Sequence, residues 1–162
     1  MESGFKSFAE VIEFALEREE EACEFYDGLA EKTEDPLMRM IFRDFVGEEK
    51  RHKHRLENIG GETGVMRLIK GVADPVRNLQ IAETLEDVKV SPGMSFRDAL
   101  VVAMKREEKS YRLYSLLAEL SDDDHLSLLF AGLAREELGH KLRIEEVYQD
   151  LYGKREAGSP SL

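Results

Sequence analysis

A chain of 162 residues is long enough to bury a real core and short for two independent domains, so a single fold is expected. Its make-up is 42% hydrophobic and 35% charged with no apolar run approaching about 18 residues, which describes a soluble globular protein without a membrane span. A formal net charge of −11 argues against nucleic acid, whose phosphates demand basic patches, and mildly favours attraction of cations. Cys23 is the only cysteine, which excludes disulfide frameworks, thiolate zinc sites and iron–sulfur clusters within one chain. Any metal must therefore be held by Glu, Asp and His, and Cys23 itself reads as a small core residue of the first helix. The N-terminal stretch MESGFKSFAEVIEF lacks a basic start, a continuous apolar core and a small-residue cleavage site, so no signal peptide is expected and the expected location is cytoplasmic.

In chain order, the first predicted element is a helix over about 5–33, followed by a short turn. Asp35-Pro36 then opens a second helix, about 36–59, as an N-cap followed by proline at the first helical position, where its missing N–H costs nothing. Residues 60–94 carry glycines at the start and Pro92-Gly93 near the end, a segment too long for a simple turn and long enough to cross the height of a helical bundle. Asp74-Pro75 is expected to open a short helix within this crossover. A third helix is predicted over about 95–121, and SDDD at 121–124 supplies both the cap and the negative charge that favour the start of a fourth, about 123–152. The C-terminal residues 153–162 read as a flexible tail.

The two halves repeat each other. Sliding the sequence by 88 residues aligns 7–59 with 95–147 without a gap, and 18 of the 53 positions are identical. The identities include Phe8 with Phe96, Glu19 with Glu107, Tyr26 with Tyr114, Phe42 with Phe130, Glu49 with Glu137 and His52 with His140. Histidines and aromatics are too scarce to align this way through composition, so duplication of an antiparallel helical hairpin is the reading.

Alternating steps of four and three along each predicted helix trace an apolar stripe. The stripes are Phe8, Ile12, Ala15, Glu19, Ala22, Tyr26 and Leu29; Met38, Phe42, Phe45, Glu49, His52, Leu56 and Ile59; Phe96, Leu100, Ala103, Glu107, Ser110, Tyr114 and Leu117; and Leu126, Phe130, Leu133, Glu137, His140, Ile144 and Val147. Four such stripes define an all-α four-helix bundle. The six titratable seam residues, Glu19, Glu49, His52, Glu107, Glu137 and His140, are the six that the repeat aligns.

Position along the axis gives a second check. Glu19 lies 15 residues before Glu34 in the turn and Glu49 lies 15 after it, so the two are expected at one level; Glu107 and Glu137 stand in the same relation to Asp122. The i, i+3 spacing puts His52 beside Glu49 and His140 beside Glu137. Four carboxylates in an apolar interior cost several kcal/mol each to desolvate, and no Lys or Arg occupies the seam to offset them. Raised pKa values are one way out. Two divalent cations would balance four carboxylates, with one imidazole for each ion, and oxygen-rich ligation with one nitrogen suits iron or manganese better than a four-coordinate zinc site.

EEEACEFY (19–26) followed by EEKRH (48–52), then EEKSYRLY (107–114) followed by EELGH (136–140), resembles the ferritin-like di-iron carboxylate proteins, and most of all the rubrerythrin family. The resemblance covers roughly 7–150. It implies a ferritin-like four-helix bundle over residues 1–152, built as hairpin 5–59, crossover 60–94 and hairpin 95–152. It also implies two iron ions, with manganese or a mixed pair as variants. Glu19 and Glu107 would be terminal ligands, Glu49 and Glu137 bridges, and His52 and His140 ligands of one ion each. The activity implied is oxidoreductase chemistry, reduction of hydrogen peroxide or O2, in a homodimer or other small homo-oligomer. One cysteine cannot build a rubredoxin domain, so electrons would come from a separate donor such as rubredoxin. Some relatives carry a further carboxylate that exchanges with a histidine; here Lys109 stands at the nearest third-helix position and Glu21 is its repeat mate, which leaves Glu21 as the only candidate.

Tyr26 and Tyr114, two turns beyond Glu19 and Glu107 on the same face, are candidates for hydrogen-bonding a ligand or aiding electron transfer, or are simply core tyrosines. His54 and His125 have no histidine partners in the repeat and are expected at the surface. Glu20, Glu48, Glu108 and Glu136 recur beside the seam; most are expected in solvent, with hydrogen bonds to the ligands as the alternative role. Two other functions stay open: Fe(II) oxidation and handling at the same site, and a non-catalytic helical module with a structural metal.

Overall fold

The computed structural model describes residues 8–58, 89, 91 and 93–153. The described residues are all-α: α1 (Phe8–Lys32), α2 (Pro36–Glu57), α3 (Phe96–Leu120) and α4 (Asp124–Tyr148), the last continuing into a π-helical turn, Gln149–Gly153. These are the four predicted helices: the second starts at Pro36 as predicted, and the other ends that fall within the described residues lie one to four residues inside the predicted ones. The predicted crossover, apart from 89, 91, 93 and 94, the short helix at Asp74-Pro75, Ile59 and the tail beyond Gly153 lie outside the described residues. The chain divides into two compact units, residues 1–67 and 68–162, and in each unit one pair of helices packs closely, α1 on α2 and α3 on α4.

Short polar side chains set the helix starts. Asp35, extended at φ −75° and ψ 118°, accepts from the backbone N–H of Leu37 at 2.9 Å and Met38 at 3.3 Å, with Pro36 in the first turn. Ser95 accepts from Asp98 N–H at 3.1 Å at the head of α3, and Asp123 accepts from His125 and Leu126 at 2.9 and 3.1 Å at the head of α4. Each turn is also sealed from across the hairpin. Arg39 Nη2 on α2 donates to Thr33 O at 2.9 Å, and Ser127 Oγ on α4 donates to Ala118 O at 2.8 Å, satisfying carbonyls that a helix end leaves without intrahelical donors.

The predicted stripes form the buried faces. In the first hairpin Ala15, Tyr26, Met38, Phe42, Phe45 and Leu56 are buried, with Ile12, Ala22 and Leu29 at the margin. Tyr26 stacks on Phe42 (ring centroids 6.2 Å apart, planes at 20°) and meets Phe45 edge-on at 5.1 Å. The second hairpin repeats the motif, with Tyr114 on Phe130 at 6.2 Å and 17°. These aromatic pairs set the packing distance two turns from the acidic level of each hairpin.

The second hairpin is buried more widely than its stripe predicts. Ala99 to Met104, ALVVAM, is buried without interruption, so this part of α3 is covered on every side. The matching stretch of α1, VIEFAL at 11–16, contains an exposed Glu13. At the far end of the unit, Arg97 donates to the Tyr148 hydroxyl through Nε and Nη2 at 3.0 and 2.9 Å and lies over the rings of Tyr148 and Tyr152, tying the start of α3 to the end of α4.

Candidate metal centre

Each hairpin gathers two carboxylates and one imidazole in its interior. In the first, Glu19 comes from α1 and Glu49 and His52 from α2; their relative exposures are 2%, 1% and 0%. His52 Nδ1 lies 3.1 Å from Glu49 Oε2 and 3.6 Å from Glu19 Oε2. In the second, Glu107 comes from α3 and Glu137 and His140 from α4, exposed by 2%, 2% and 4%, with His140 Nδ1 3.7 Å from both Glu107 Oε2 and Glu137 Oε2. The equal spacings about each turn bring the glutamates level, and the i, i+3 step turns each histidine onto the same face.

The electrostatics of the first trio follow from its burial. Desolvation lifts the Glu19 carboxyl from 4.5 to about 7; the nearby His52 imidazole opposes this and the neighbouring Glu49 adds to it. Below about pH 7 the metal-free site therefore keeps a proton where a cation would otherwise balance the charge. Cys23, buried with its thiol 4.0 Å from Val46 O, is pushed up to about 11, first by burial and then by Glu49, Glu20 and Glu19. It is a core thiol and not a thiolate.

The donor set suits a hard or borderline divalent cation. Within each trio one donor atom per residue can be chosen so that all three lie within 4.8 Å of one another. Metal–ligand bonds of about 2.0–2.2 Å set donors on one ion up to about 4.4 Å apart, so the trios stand close to the required spacing. Carboxylate oxygens with a single imidazole nitrogen favour iron or manganese over a thiolate-rich or closed zinc site.

Other sequence expectations are placed as follows. Tyr26 and Tyr114 are buried in their aromatic stacks. His54 and His125 are exposed. Glu21 is exposed and paired with Arg18 at 2.8 Å, and Lys109 is exposed. Glu20 is in solvent, paired with Lys53, and Glu48 and Glu136 are half-buried.

Glu108 departs from the solvated role expected of most of these residues. It is buried, lies 2.9 Å from the fully buried Lys141 ammonium, and also meets Arg112. Lys141 in turn stands 3.8 Å from the fully buried Glu145. Sequence reasoning missed this buried Glu–Lys–Glu group. The signal available was that Glu108, Lys141 and Glu145 repeat Glu20, Lys53 and Glu57 identically, but nothing in that identity tells which copy is buried.

Comparison with known families places the chain. The rubrerythrin family model matches residues 9–89 and 98–161, which covers both hairpins, and the chain belongs to the rubrerythrin family. Membership of that family, with buried carboxylate and imidazole groups in each half, suits a di-iron site. No match was found among curated proteins or among solved structures. Among the described residues, no helix is long and apolar enough to cross a membrane.

Proposed function

We propose that the Glu and His groups of this rubrerythrin-family chain hold two iron ions and that the protein reduces hydrogen peroxide to water with electrons from a separate donor. The observation that carries this reading is the recurrence, in both halves of a rubrerythrin-family chain, of a buried Glu, Glu and His with imidazole Nδ1 directed at carboxylates of both helices. Glu19, Glu49, His52, Glu107, Glu137 and His140 are the proposed ligands, with Glu49 and Glu137 as bridges. Manganese or a mixed pair would fit the same donors.

When bound, the two ions supply Lewis acidity and two electrons towards the O–O bond, for the balanced reaction H2O2 + 2 H+ + 2 e− → 2 H2O. The protein's own contributions are charge balance, orientation and exclusion of water. Four carboxylates match two divalent cations, which offsets a desolvation cost of several kcal/mol for each buried anion. Glu19 must give up the proton it holds below about 7, so loading the first trio releases protons and weakens on acidification. The Tyr26 and Tyr114 stacks close each hairpin beyond the acidic level, and their hydroxyls are the proposed hydrogen-bonding or electron-transfer groups. Glu21 is exposed and pairs with Arg18, and the proposed cycle does not depend on a ligand switch. O2 is the alternative oxidant, a homodimer or small homo-oligomer the proposed assembly, and the cytoplasm the proposed location.

The test is metal content and peroxide consumption under anaerobic conditions. Iron-loaded protein should hold two ions per chain and consume one equivalent of peroxide per pair, without evolving oxygen. Replacing both bridges, Glu49→Gln with Glu137→Gln, should abolish the pair. Two ions retained after both changes would contradict the ligand assignment, and inertness to peroxide would contradict the reaction.

A further inference from the structure

We propose that Lys141 is a positioning residue for the ligands of the second hairpin, and that its burial makes this half of the metal centre the tighter one. The inference rests on the metal-centre reading above but on different residues. Lys141 follows His140 on α4 and Glu108 follows Glu107 on α3. An ammonium with no solvent exposure lies 2.9 Å from Glu108 Oε2 and 3.8 Å from Glu145 Oε1, so one cation joins the two helices one residue away from a candidate ligand on each. Helix rotation and height at Glu107 and His140 are thereby coupled to a contact that solvent does not screen.

The duplicated chain supplies its own control. Lys53 and Glu20, with Glu57, are the same residue types at the same repeat positions in the first hairpin. There Glu20 and Glu57 are exposed and the side chain of Lys53 is 36% exposed. An ion pair in that setting is screened and constrains little. Arg112 adds a second difference, since it meets Glu108 from α3 while the repeat position in α1 is Glu24. Glu108 is thus held from two directions, while among the described residues Glu20 meets only Lys53. Ligands held in place before the metal arrives bind it more tightly, because less ordering remains to be done at binding.

Cobalt(II) titrated into metal-free full-length protein, followed by calorimetry and visible absorption, tests this. The wild type should bind in two steps separated by at least about 10-fold in affinity, and His140→Ala should remove the tighter step while His52→Ala removes the weaker. Lys141→Met should weaken the tighter step on the order of 10- to 100-fold and alter its absorption band, Lys141→Arg should restore part of the loss, and Lys53→Met should change either step by less than about 5-fold. Where Lys141→Met fails to fold, the charge-free combination Glu108→Gln, Lys141→Met and Glu145→Gln leaves no buried charge unpaired and is expected to fold and lose the tighter step. Equal loading in the wild type, an unchanged tighter step in a folded Lys141 variant, or an equal loss in Lys53→Met would overturn the role of Lys141 and leave the metal centre standing. Failure of the wild type to take up any pair of cobalt, iron or manganese ions would overturn both.

Discussion

Replacing Glu19 by Gln in the metal-free protein should stabilise it at pH 8 and change little near pH 4.5. Burial raises the Glu19 carboxyl from 4.5 to about 7, with the nearby His52 imidazole opposing and Glu49 adding. Because the folded value lies above the unfolded one, the native state holds this proton more tightly. The associated stability is fully present below about 4.5 and is lost as pH rises through about 7. The interval from 4.5 to about 7, at about 1.4 kcal/mol per pH unit, corresponds to on the order of 3 kcal/mol, or roughly 6–12 °C in melting temperature for a chain of this size. Gln keeps the shape and removes the titration. Melting curves of wild type and Glu19→Gln followed by circular dichroism in EDTA at pH 4.5, 6 and 8 read the difference, which belongs to Glu19 together with the Glu49 and His52 groups it interacts with. A stability gap independent of pH, or a variant less stable than wild type at pH 8, would refute the reasoning. Adding metal should reverse the order, because the wild type gains a ligand that the variant lacks.

The remaining predictions concern parts of the fold away from that carboxyl. Cys23, with its thiol raised to about 11, should react with a thiol reagent at pH 8 only on the timescale of unfolding; rapid modification of the native protein would place it at the surface. Asp35→Ala removes the cap on Leu37 and Met38 and should lower stability by about 1 kcal/mol in urea titrations while leaving metal content unchanged. Phe130→Ala removes a buried ring stacked on Tyr114 and should cost about 3–5 kcal/mol, whereas Leu128→Ala, at a residue 43% exposed two positions earlier, should stay within about 0.5 kcal/mol.

Much of this was legible in the sequence because the helices announce themselves twice. Asp35-Pro36 and SDDD cap the helices they were expected to cap, since a short acidic side chain followed by an apolar run has one low-energy local use. The seam glutamates and histidines are buried as their steps of three and four required, and each hairpin assembles its trio at one level because the chain distances about the turn are equal. The chain order of these residues and their rarity carried more information than overall composition. What stayed hidden was the difference between the copies. Glu20, Lys53 and Glu57 are identical to Glu108, Lys141 and Glu145, yet one group lies in solvent and the other is buried. Burial of a charged side chain depends on what covers it, and a residue's own identity does not encode that. The uninterrupted ALVVAM of α3 was the one local hint that the second hairpin is covered on more sides.

The sealed turns carry a consequence for how the molecule comes into being. Arg39 reaches back only six residues to Thr33, and Ser127 only nine to Ala118, so each hairpin can zip upward from its bend using partners that leave the ribosome almost together. Register within each hairpin is thus pinned by contacts that are short in sequence, which makes the closing of each bend an early step in folding.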